Sequence, residues 1–281
     1  MSMLLRRRTW KGGLAVLCGV CITAGVAAAT SSGARAGYPP VDHQLCYTVS
    51  EGKFAQPAGS KVILINQFSP NGFKPILQTK VAFHCNPVIK TIHTPAGNKV
   101  YKVTNPRAHL ACLPFTLPAG TTVSTPKVLV KNQFGSATLY LKQPNLFCLP
   151  SWKSLTGPPN LKPTSPVGLS HFTCYPVGDM TGAFKIPGSV LLQDEFTSKP
   201  VPVQVNLVPR MLCLPTKKII QTAAGATTYP IRNPVLHLLC FNVTKTPFKP
   251  KVWDENQFGT SVIYIKATSM LCVPSTKTVV K

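Results

Sequence analysis

Hydrophobic and polar residues alternate with a period of two in several stretches of the chain, which is the pattern of a strand with one buried face. In residues 137–142, Ala137, Leu139 and Leu141 alternate with more polar neighbours, and residues 62–65, 127–131, 201–205 and 263–266 follow the same rule. After residue 36 no stretch keeps the 3.6-residue period of a helix over a useful length, while 28 prolines and 19 glycines interrupt the chain. The pattern predicts an all-β protein of short strands.

The predicted strands belong to a motif that occurs four times. Each copy opens with His-x-x-Cys, carries a central element related to Asn-Gln-Phe-Gly, and closes with Cys-x-Pro-x-x-Lys; we number these repeats one to four, over residues 43–90, 109–153, 171–218 and 237–277. The opening histidines of repeats one and three are 171 − 43 = 128 residues apart, and those of repeats two and four are 237 − 109 = 128 apart. The protein is therefore a duplicated pair of repeats.

The duplication predicts two homologous antiparallel β-sandwich or barrel-like domains, each built from a pair of repeats. One repeat with the chain that follows it, about 60 residues in all, buries too little surface to form a core alone, so we expect two repeats per globule. Residues 154–168 are rich in Pro, Ser and Thr and are typical of a linker. The predicted organisation is a signal peptide at 1–36, domains at 37–153 and 169–281, and a linker at 154–168.

The first 36 residues follow the order of a secretory signal: positive charge, an apolar run, then small residues. Four basic residues between positions 6 and 11 precede the apolar run at 12–29, and Ala34-Arg35-Ala36 follows. Cleavage before Gly37 would reduce the net charge from +23 to 25 − 7 = +18. An uncleaved membrane anchor is the alternative. We expect an extracytoplasmic protein (periplasmic, cell-surface or secreted) with no membrane span after cleavage.

Cysteine spacing provides the strongest chemical signal. Eight of the ten cysteines lie after the signal, two in each repeat, and none forms the close Cys-x-x-Cys pair of a zinc site. An even number in an exported chain favours disulfides. Pairing between repeats is an alternative, because eight cysteines allow 105 arrangements. The simplest connectivity joins Cys46 to Cys85, Cys112 to Cys148, Cys174 to Cys213 and Cys240 to Cys272.

The opening histidines also suggest metal binding. Positions three apart on a strand point to opposite faces, so the His and Cys of one motif would not converge on one ion. We interpret them as hydrogen-bonding residues that duplication has repeated, and assign no metal ligand. The four residues are His43, His109, His171 and His237.

The central element is predicted to be a turn between strands. Its Asn side chain can bond its own backbone, and Gly tolerates positive φ. Repeat three has Asp194-Glu195 in place of Asn-Gln, and repeat one has Ser69 in place of Gly. Only the aromatic residue is common to all four copies, which favours packing over recognition; it is Phe68, Phe134, Phe196 and Phe258.

Carboxylates are few, which leaves little material for catalysis. There are seven in the chain, and a glycosidase-type pair, such as Asp194 with Asp254, could be assembled only from different repeats. No nucleophile elbow, phosphate-binding loop or zinc-protease motif is present. We assign no catalytic or cofactor-binding residue and expect no cofactor.

The combination of His-Leu-x-Cys, Asn-Gln-Phe-Gly and Cys-x-Pro-x-x-Lys at this spacing, most complete in repeats two and four, resembles a repeated domain of unknown function found in exported bacterial proteins. The resemblance implies a β-rich extracytoplasmic repeat protein and supplies no activity. The leading hypothesis is a monomeric, non-catalytic structural or binding module of the envelope or extracellular space. One alternative is a binder of polyanions, such as an acidic polysaccharide, another anionic envelope polymer or nucleic acid. The other is an extracytoplasmic hydrolase.

Overall fold

The computed structural model describes residue 38 and residues 40–158, 168–186 and 188–280. The predicted signal peptide lies outside the described residues, as does most of the predicted linker. The described residues contain nineteen strands and no helix, which confirms the all-β prediction. None of them forms a helix long and apolar enough to cross a membrane.

Each repeat contributes a first strand, a central hairpin and a closing strand. Repeat one and the hairpin after it form β1 (Gln44–Glu51), β2 (Lys61–Asn66), β3 (Ser69–Phe73), β4 (Ile76–Leu77), β5 (Phe83–Pro87), β6 (Ile89–Thr94) and β7 (Gly97–Tyr101). Repeat two forms β8 (His109–Thr116), β9 (Val128–Asn132), β10 (Gly135–Leu141) and β11 (Leu146–Ser154). Repeat three and the hairpin after it form β12 (His171–Phe184), β13 (Ser189–Gln193), β14 (Val201–Val203), β15 (Val205–Thr222) and β16 (Gly225–Tyr229). Repeat four forms β17 (His237–Val243), β18 (Lys251–Asn256) and β19 (Gly259–Val279).

The first and closing strands of the four repeats form a closed antiparallel barrel of eight strands. Their order is β1, β5, β8, β11, β12, β15, β17 and β19. The last strand pairs with the first through a register that places Gln44 opposite Cys272. Closure leaves no free edge among these eight strands.

Four disulfides fill the interior of this barrel. Each joins two cysteines that lie directly opposite each other on paired strands of one repeat, with Cα atoms 3.9 to 4.0 Å apart. Sulfurs of neighbouring repeats also touch: Cys46 and Cys272 are 3.7 Å apart, and Cys148 and Cys174 are 3.9 Å apart. The pairs are Cys46–Cys85, Cys112–Cys148, Cys174–Cys213 and Cys240–Cys272, the within-repeat arrangement.

A second, larger core surrounds the barrel. Successive side chains on a strand point to opposite faces, so the neighbours of each inward cysteine point outward. Leu45 and Tyr47, on either side of Cys46, therefore belong to the outer core, together with residues of the central hairpins. The hairpins cover the outside of the barrel.

The hairpins bind the two repeat pairs to each other. The chain after the closing strand of repeat one, β6, pairs with β13 of repeat three, and the end of β15 in repeat three pairs with β2 of repeat one. Repeats two and four exchange in the same way, through β11 with β18 and β19 with β9. The pairs share one core instead of forming two globules, and residues 37–281 are a single compact unit. The physical reason is that each hairpin has a free edge, and the strand that satisfies it comes from the other pair.

Candidate functional site

Four equivalent junctions occur where one repeat meets the next around the barrel. At each, the closing Lys of one repeat lies over the Phe ring of the next repeat's central element, with 4.2 to 4.7 Å between the ammonium nitrogen and the ring centroid. The opening His of the first repeat and the residue before the Phe complete the set. Junction 1 is His43, Lys90, Gln133 and Phe134; junction 2 is His109, Lys153, Glu195 and Phe196; junction 3 is His171, Lys218, Gln257 and Phe258; junction 4 is His237, Lys277, Gln67 and Phe68.

The turn predicted for the central element positions each Phe. In every repeat the side-chain Oδ1 of the Asn or Asp accepts a hydrogen bond from the backbone N–H of the Phe, at 2.7 to 3.0 Å. This is the local side-chain-to-backbone bond expected of an Asx turn. The prediction of a turn is confirmed, and the aromatic side chain contacts the neighbouring repeat.

Junctions 1 and 3 are covered by a tyrosine from the hairpin that follows the closing strand. Lys90 lies between two rings, 4.2 Å from the centroid of Tyr101 and 4.6 Å from that of Phe134. Lys218 lies 4.3 Å from Tyr229 and 4.7 Å from Phe258. Ring faces attract the ammonium group and replace part of the hydration that it loses on burial.

Burial changes the protonation of these junctions. It lowers the pKa of Lys90 to about 7, helped by the charge of Lys99. It lowers the pKa of His43 to about 3, with the charge of Lys90 adding to the effect, so this ring is neutral at pH 7. Burial likewise lowers the pKa of Lys218 well below its usual range.

The opening histidines of repeats one and three contact the glutamine side chain of the next repeat at hydrogen-bond distance. His43 Nε2 lies 2.7 Å from Gln133 Nε2, and His171 Nε2 lies 3.3 Å from Gln257 Oε1. No group of three or more His, Cys, Asp or Glu side chains in the described part of the chain has the geometry to hold a metal ion.

Junction 2 differs because it carries a charged network. Glu195 replaces the glutamine of the other junctions, and its carboxylate forms an ion pair with Lys153. Lys153 also donates to Asn86 Oδ1 at 3.0 Å. From Asn86 the contacts continue to Asp194 and, through His84, to Asp254.

Asn86 lies at the centre of this network, and its amide orientation follows from its partners. Its Nδ2 donates to Asp194 Oδ2 at 2.9 Å. Its Oδ1 accepts from Lys153 and from His84 Nε2, both at 3.0 Å, and faces His109 Nδ1 at 3.2 Å. An amide oxygen only accepts, so these neighbours are donors.

His84 Nε2 therefore donates to the Asn86 oxygen, at 3.0 Å. Its Nδ1 lies 2.7 Å from Asp254 Oδ2, and this hydrogen bond joins repeats one and four. Both side chains are fully buried, so each group depends on the other as its hydrogen-bond partner.

The Asp194 carboxylate accepts hydrogen bonds from protein donors on both of its oxygens. Asp194 Oδ2 also accepts from the Tyr47 hydroxyl at 2.7 Å. Burial, followed by the charge of Asp194, raises the pKa of Tyr47. Burial lowers the pKa of Lys153 to about 7, and the charges of Asp194 and Asp254 oppose that change.

The network joins all four repeats. Tyr47, His84 and Asn86 come from repeat one, Lys153 and His109 from repeat two, Asp194 and Glu195 from repeat three, and Asp254 from repeat four. The two aspartates considered from the sequence as a hydrolytic pair do belong to one network. Asp194 is 9% exposed and Asp254 is 0% exposed, so the arrangement ties the repeats together and does not present a pair of carboxylates at the surface.

Sequence reasoning missed Tyr47, His84 and Asn86, although two of them carry a detectable signal. In repeats two, three and four the residues on either side of the closing cysteine are apolar and buried. In repeat one the corresponding residues are His84 and Asn86, also buried. A polar residue where three copies have an apolar one indicates a partner in the core. The apolar equivalents are Phe147 and Leu149, Leu212 and Leu214, and Leu271 and Val273.

Comparison with protein families agrees with the repeat architecture. A family model described as a repeat of unknown function (DUF7450) matches residues 117–274. The match covers 274 − 117 + 1 = 158 of the 281 residues, from repeat two into repeat four. The chain belongs to this family. No curated protein and no solved structure matches it.

Exposed basic residues outnumber exposed acids in the described part of this repeat protein. Asp42, Asp194, Asp254 and Glu255 are buried, which leaves three exposed acids: Glu51, Asp179 and Glu195. Eighteen basic residues are exposed in the described part of the chain: Lys53, Lys61, Lys74, Lys80, Lys99, Lys102, Arg107, Lys127, Lys131, Lys142, Lys185, Lys199, Arg210, Arg232, Lys245, Lys249, Lys251 and Lys266.

Five of these lysines surround one stretch of β19. Lys251 on β18 lies opposite Tyr264, and Lys266 is two residues further along the same strand. Lys53 donates its backbone N–H to Ser261 and pairs with Lys80 in an isolated bridge. Lys249 follows Phe248, whose backbone N–H donates to the carbonyl of Lys266. We define the basic face as Lys53, Lys80, Lys249, Lys251 and Lys266.

Proposed function

We propose that this protein is an exported, non-catalytic binding module that holds an anionic polymer on its basic face. The observation that supports the proposal is the unequal distribution of charge: eighteen exposed basic residues against three exposed acids. Such a surface attracts extended polyanions over a distance of about 10 Å at 0.1 M salt. An acidic polysaccharide of the envelope or extracellular space is the ligand class that fits an exported protein.

The basic face combines charge with aromatic surface. Tyr264 is half-buried between Lys251 and Lys266, and Trp253 lies next along β18 with Lys251 5.1 Å from its ring centroid. Sugar rings can lie against aromatic side chains while lysines pair with their carboxylates or sulfates. Glu51 is the exposed acid on the adjoining strand β1, opposite Ile263.

The proposed export rests on the disulfides. All eight cysteines of the repeats are paired and buried in the barrel. Disulfides of this kind persist in oxidising compartments and are rare in the cytosol. A rigid, cross-linked barrel also suits a binding surface that must keep its shape outside the cell.

The test is binding of polygalacturonate, with neutral dextran and duplex DNA as comparators. Lys251→Glu with Lys266→Glu should weaken polygalacturonate binding by about tenfold or more at 50 mM salt, and the affinity of the unchanged protein should fall steeply as salt is raised. The matched control is Lys142→Glu with Lys185→Glu, which makes the same change of charge elsewhere on the surface. Equal losses in both variants would mean that net charge alone is responsible and would refute the basic face. Preference for DNA would replace the ligand class.

A further inference from the structure

The four junctions do not all have a cover over their lysine and histidine. Tyr101 covers junction 1, with its ring 5.1 Å from that of His43, and Tyr229 covers junction 3, with its ring 5.4 Å from that of His171. At junction 2 the Glu195 carboxylate pairs with the lysine instead. At junction 4 no described residue takes the place of the tyrosine. The aromatic ring near Lys277 is Phe68, which is the counterpart of the phenylalanine at each of the other junctions.

Junction 4 opens instead into a recess of about 360 Å³. The histidine and glutamine of the junction, His237 and Gln67, both line it, and Gln67 accepts a hydrogen bond from Lys277. The remaining walls are apolar: Leu214, Pro215, Ile231 and Pro234. This volume is at the lower end of the range for ligand pockets, about 300 to 1,000 Å³.

We propose that the junction 4 recess binds a phenol ring, in the position that Tyr101 and Tyr229 occupy at the covered junctions. The ring would lie against His237 and Gln67, on the side of the Lys277 ammonium group that donates to Gln67, with its edge among the apolar walls. The ligand class is a tyrosyl side chain presented by a peptide, or a small phenol of the same chemistry. The protein carries two copies of the bound arrangement in its own core.

Protonation at junction 4 is compatible with this ligand. Burial lowers the pKa of Lys277 to about 8, so the ammonium form is still present at pH 7 and can face a ring. Burial, and then the charge of Lys277, lowers the pKa of His237 to about 3, so this ring is neutral and offers an aromatic edge. The inference does not depend on the basic face, because none of the five basic-face lysines lines the recess.

The experiment uses p-cresol, which is the tyrosine side chain without its backbone. Equilibrium dialysis of the mature, oxidised protein should show one bound p-cresol per chain. Ile231→Trp, which fills the recess, should weaken binding by at least tenfold. Tyr229→Ala, which uncovers junction 3, should raise the stoichiometry from one to two, and Tyr101→Ala should do the same at junction 1.

Each outcome decides the proposal. Retained disulfides in a non-reducing peptide map and an unchanged circular dichroism spectrum establish that the variants fold. Absence of p-cresol binding to the unchanged protein, or binding that Ile231→Trp leaves intact, would overturn the proposal. A stoichiometry that stays at one in both folded Tyr→Ala variants would overturn the equivalence on which it rests. Comparing p-cresol with the tripeptide Gly-Tyr-Gly then distinguishes a free phenol from a peptide-borne ring, by which of the two binds more tightly.

Discussion

The closing strands of repeats one and three occupy equivalent places in the barrel, but the residues beside the cysteine are polar in repeat one and apolar in repeat three. Both carry a cysteine in an internal disulfide that spans 39 residues. The cysteine of repeat three is flanked by Leu212 and Leu214, whereas that of repeat one is flanked by His84 and Asn86. All four flanking side chains are completely buried. The barrel therefore does not require polar residues at these positions. The polar residues of repeat one must have a role specific to that part of the barrel, which we call the polar sector; the corresponding part of repeat three is the apolar sector.

One such purpose is to specify the order of the repeats. Apolar contacts between similar repeats differ little in energy, so four homologous copies could in principle pair with the wrong neighbours. A buried charge is strongly destabilising without its own partner. Because His84 meets Asp254 and Asn86 meets Asp194 only in the observed order, the network would penalise alternative arrangements.

The first prediction, with the largest effect, tests how much the stability of the polar sector depends on the pairing of His84 with Asp254. Asp254→Leu should lower the free energy of unfolding by about 3 to 5 kcal/mol, because it removes one partner of a fully buried His–Asp pair and leaves Nδ1 of His84 unpaired. His84→Leu combined with Asp254→Leu should recover most of this loss, since Leu64, Val130 and Leu192 stand at the position of Asp254 in the other repeats. Denaturant unfolding of the single and double variants measures the coupling.

The matched control places the same charge in the apolar sector. Leu192→Asp creates an aspartate at the equivalent position of repeat three, and the residue of the next repeat that corresponds to His84 is Leu271. It should be at least as destabilising as Asp254→Leu. If the double variant lost as much stability as Asp254→Leu alone, the pair would not be coupled, and the account of the polar sector would be wrong.

Much of the architecture was accessible from the sequence because it is local. Period-two alternation predicted strands such as β10, and the Asn and Phe of the central element predicted the turn at Asn132 and Phe134. Barrel closure was not predictable in the same way. It depends on β1 meeting β19, and Cys46 and Cys272 are separated by 226 residues, a relation that no pattern within one repeat contains.

The two-globule prediction shows the same limit. Homology identified which repeats resemble each other, but it did not identify which strand pairs with the free edge of each hairpin. β2 pairs with β15 and β13 pairs with β6, so the hairpins cross the predicted boundary. The junctions were also out of reach, because Lys90 meets a phenylalanine of the next repeat. Only the polar residues beside Cys85 indicate from the sequence where the polar sector lies.

The second prediction is a pH dependence of stability that arises from the buried lysines of junctions 1 and 2. Burial lowers the pKa of Lys90 and of Lys153 to about 7 from the usual 10.5. Between those values the unfolded chain binds more protons than the folded protein, so the free energy of unfolding should rise as the pH increases from about 7 towards 10. The limiting slope is about 1.4 kcal/mol per pH unit for each such lysine.

Guanidinium unfolding at pH 7, 8 and 9 under non-reducing conditions measures this slope. Lys90→Met should reduce it by the share of one lysine, whereas Lys74→Met, at an exposed position, should leave it unchanged. On the acid side, the pKa of about 3 for His43 and His237 means that stability should fall as the pH drops below about 6.5. A flat profile from pH 7 to 9 would show that the buried lysines keep their protons in the folded protein.

The last prediction, with the smallest effect, compares the stability contributions of two tyrosine hydroxyls at equivalent positions of the polar and apolar sectors. Tyr47 donates to the carboxylate of Asp194 at 2.7 Å, whereas the hydroxyl of Tyr175 exchanges hydrogen bonds with the amide of Asn66 at 3.0 and 3.2 Å. A bond to a charged group contributes about 1.5 to 3 kcal/mol and a bond between neutral groups about 0.5 to 1.5 kcal/mol. Tyr47→Phe should therefore cost more than Tyr175→Phe in denaturant unfolding. Both rings are fully buried and both variants remove one hydroxyl, so the packing loss is matched. Equal costs would mean that the bond from Tyr47 to Asp194 stabilises the fold no more than the bonds between Tyr175 and Asn66 do, and the account of it as the stronger interaction would be wrong.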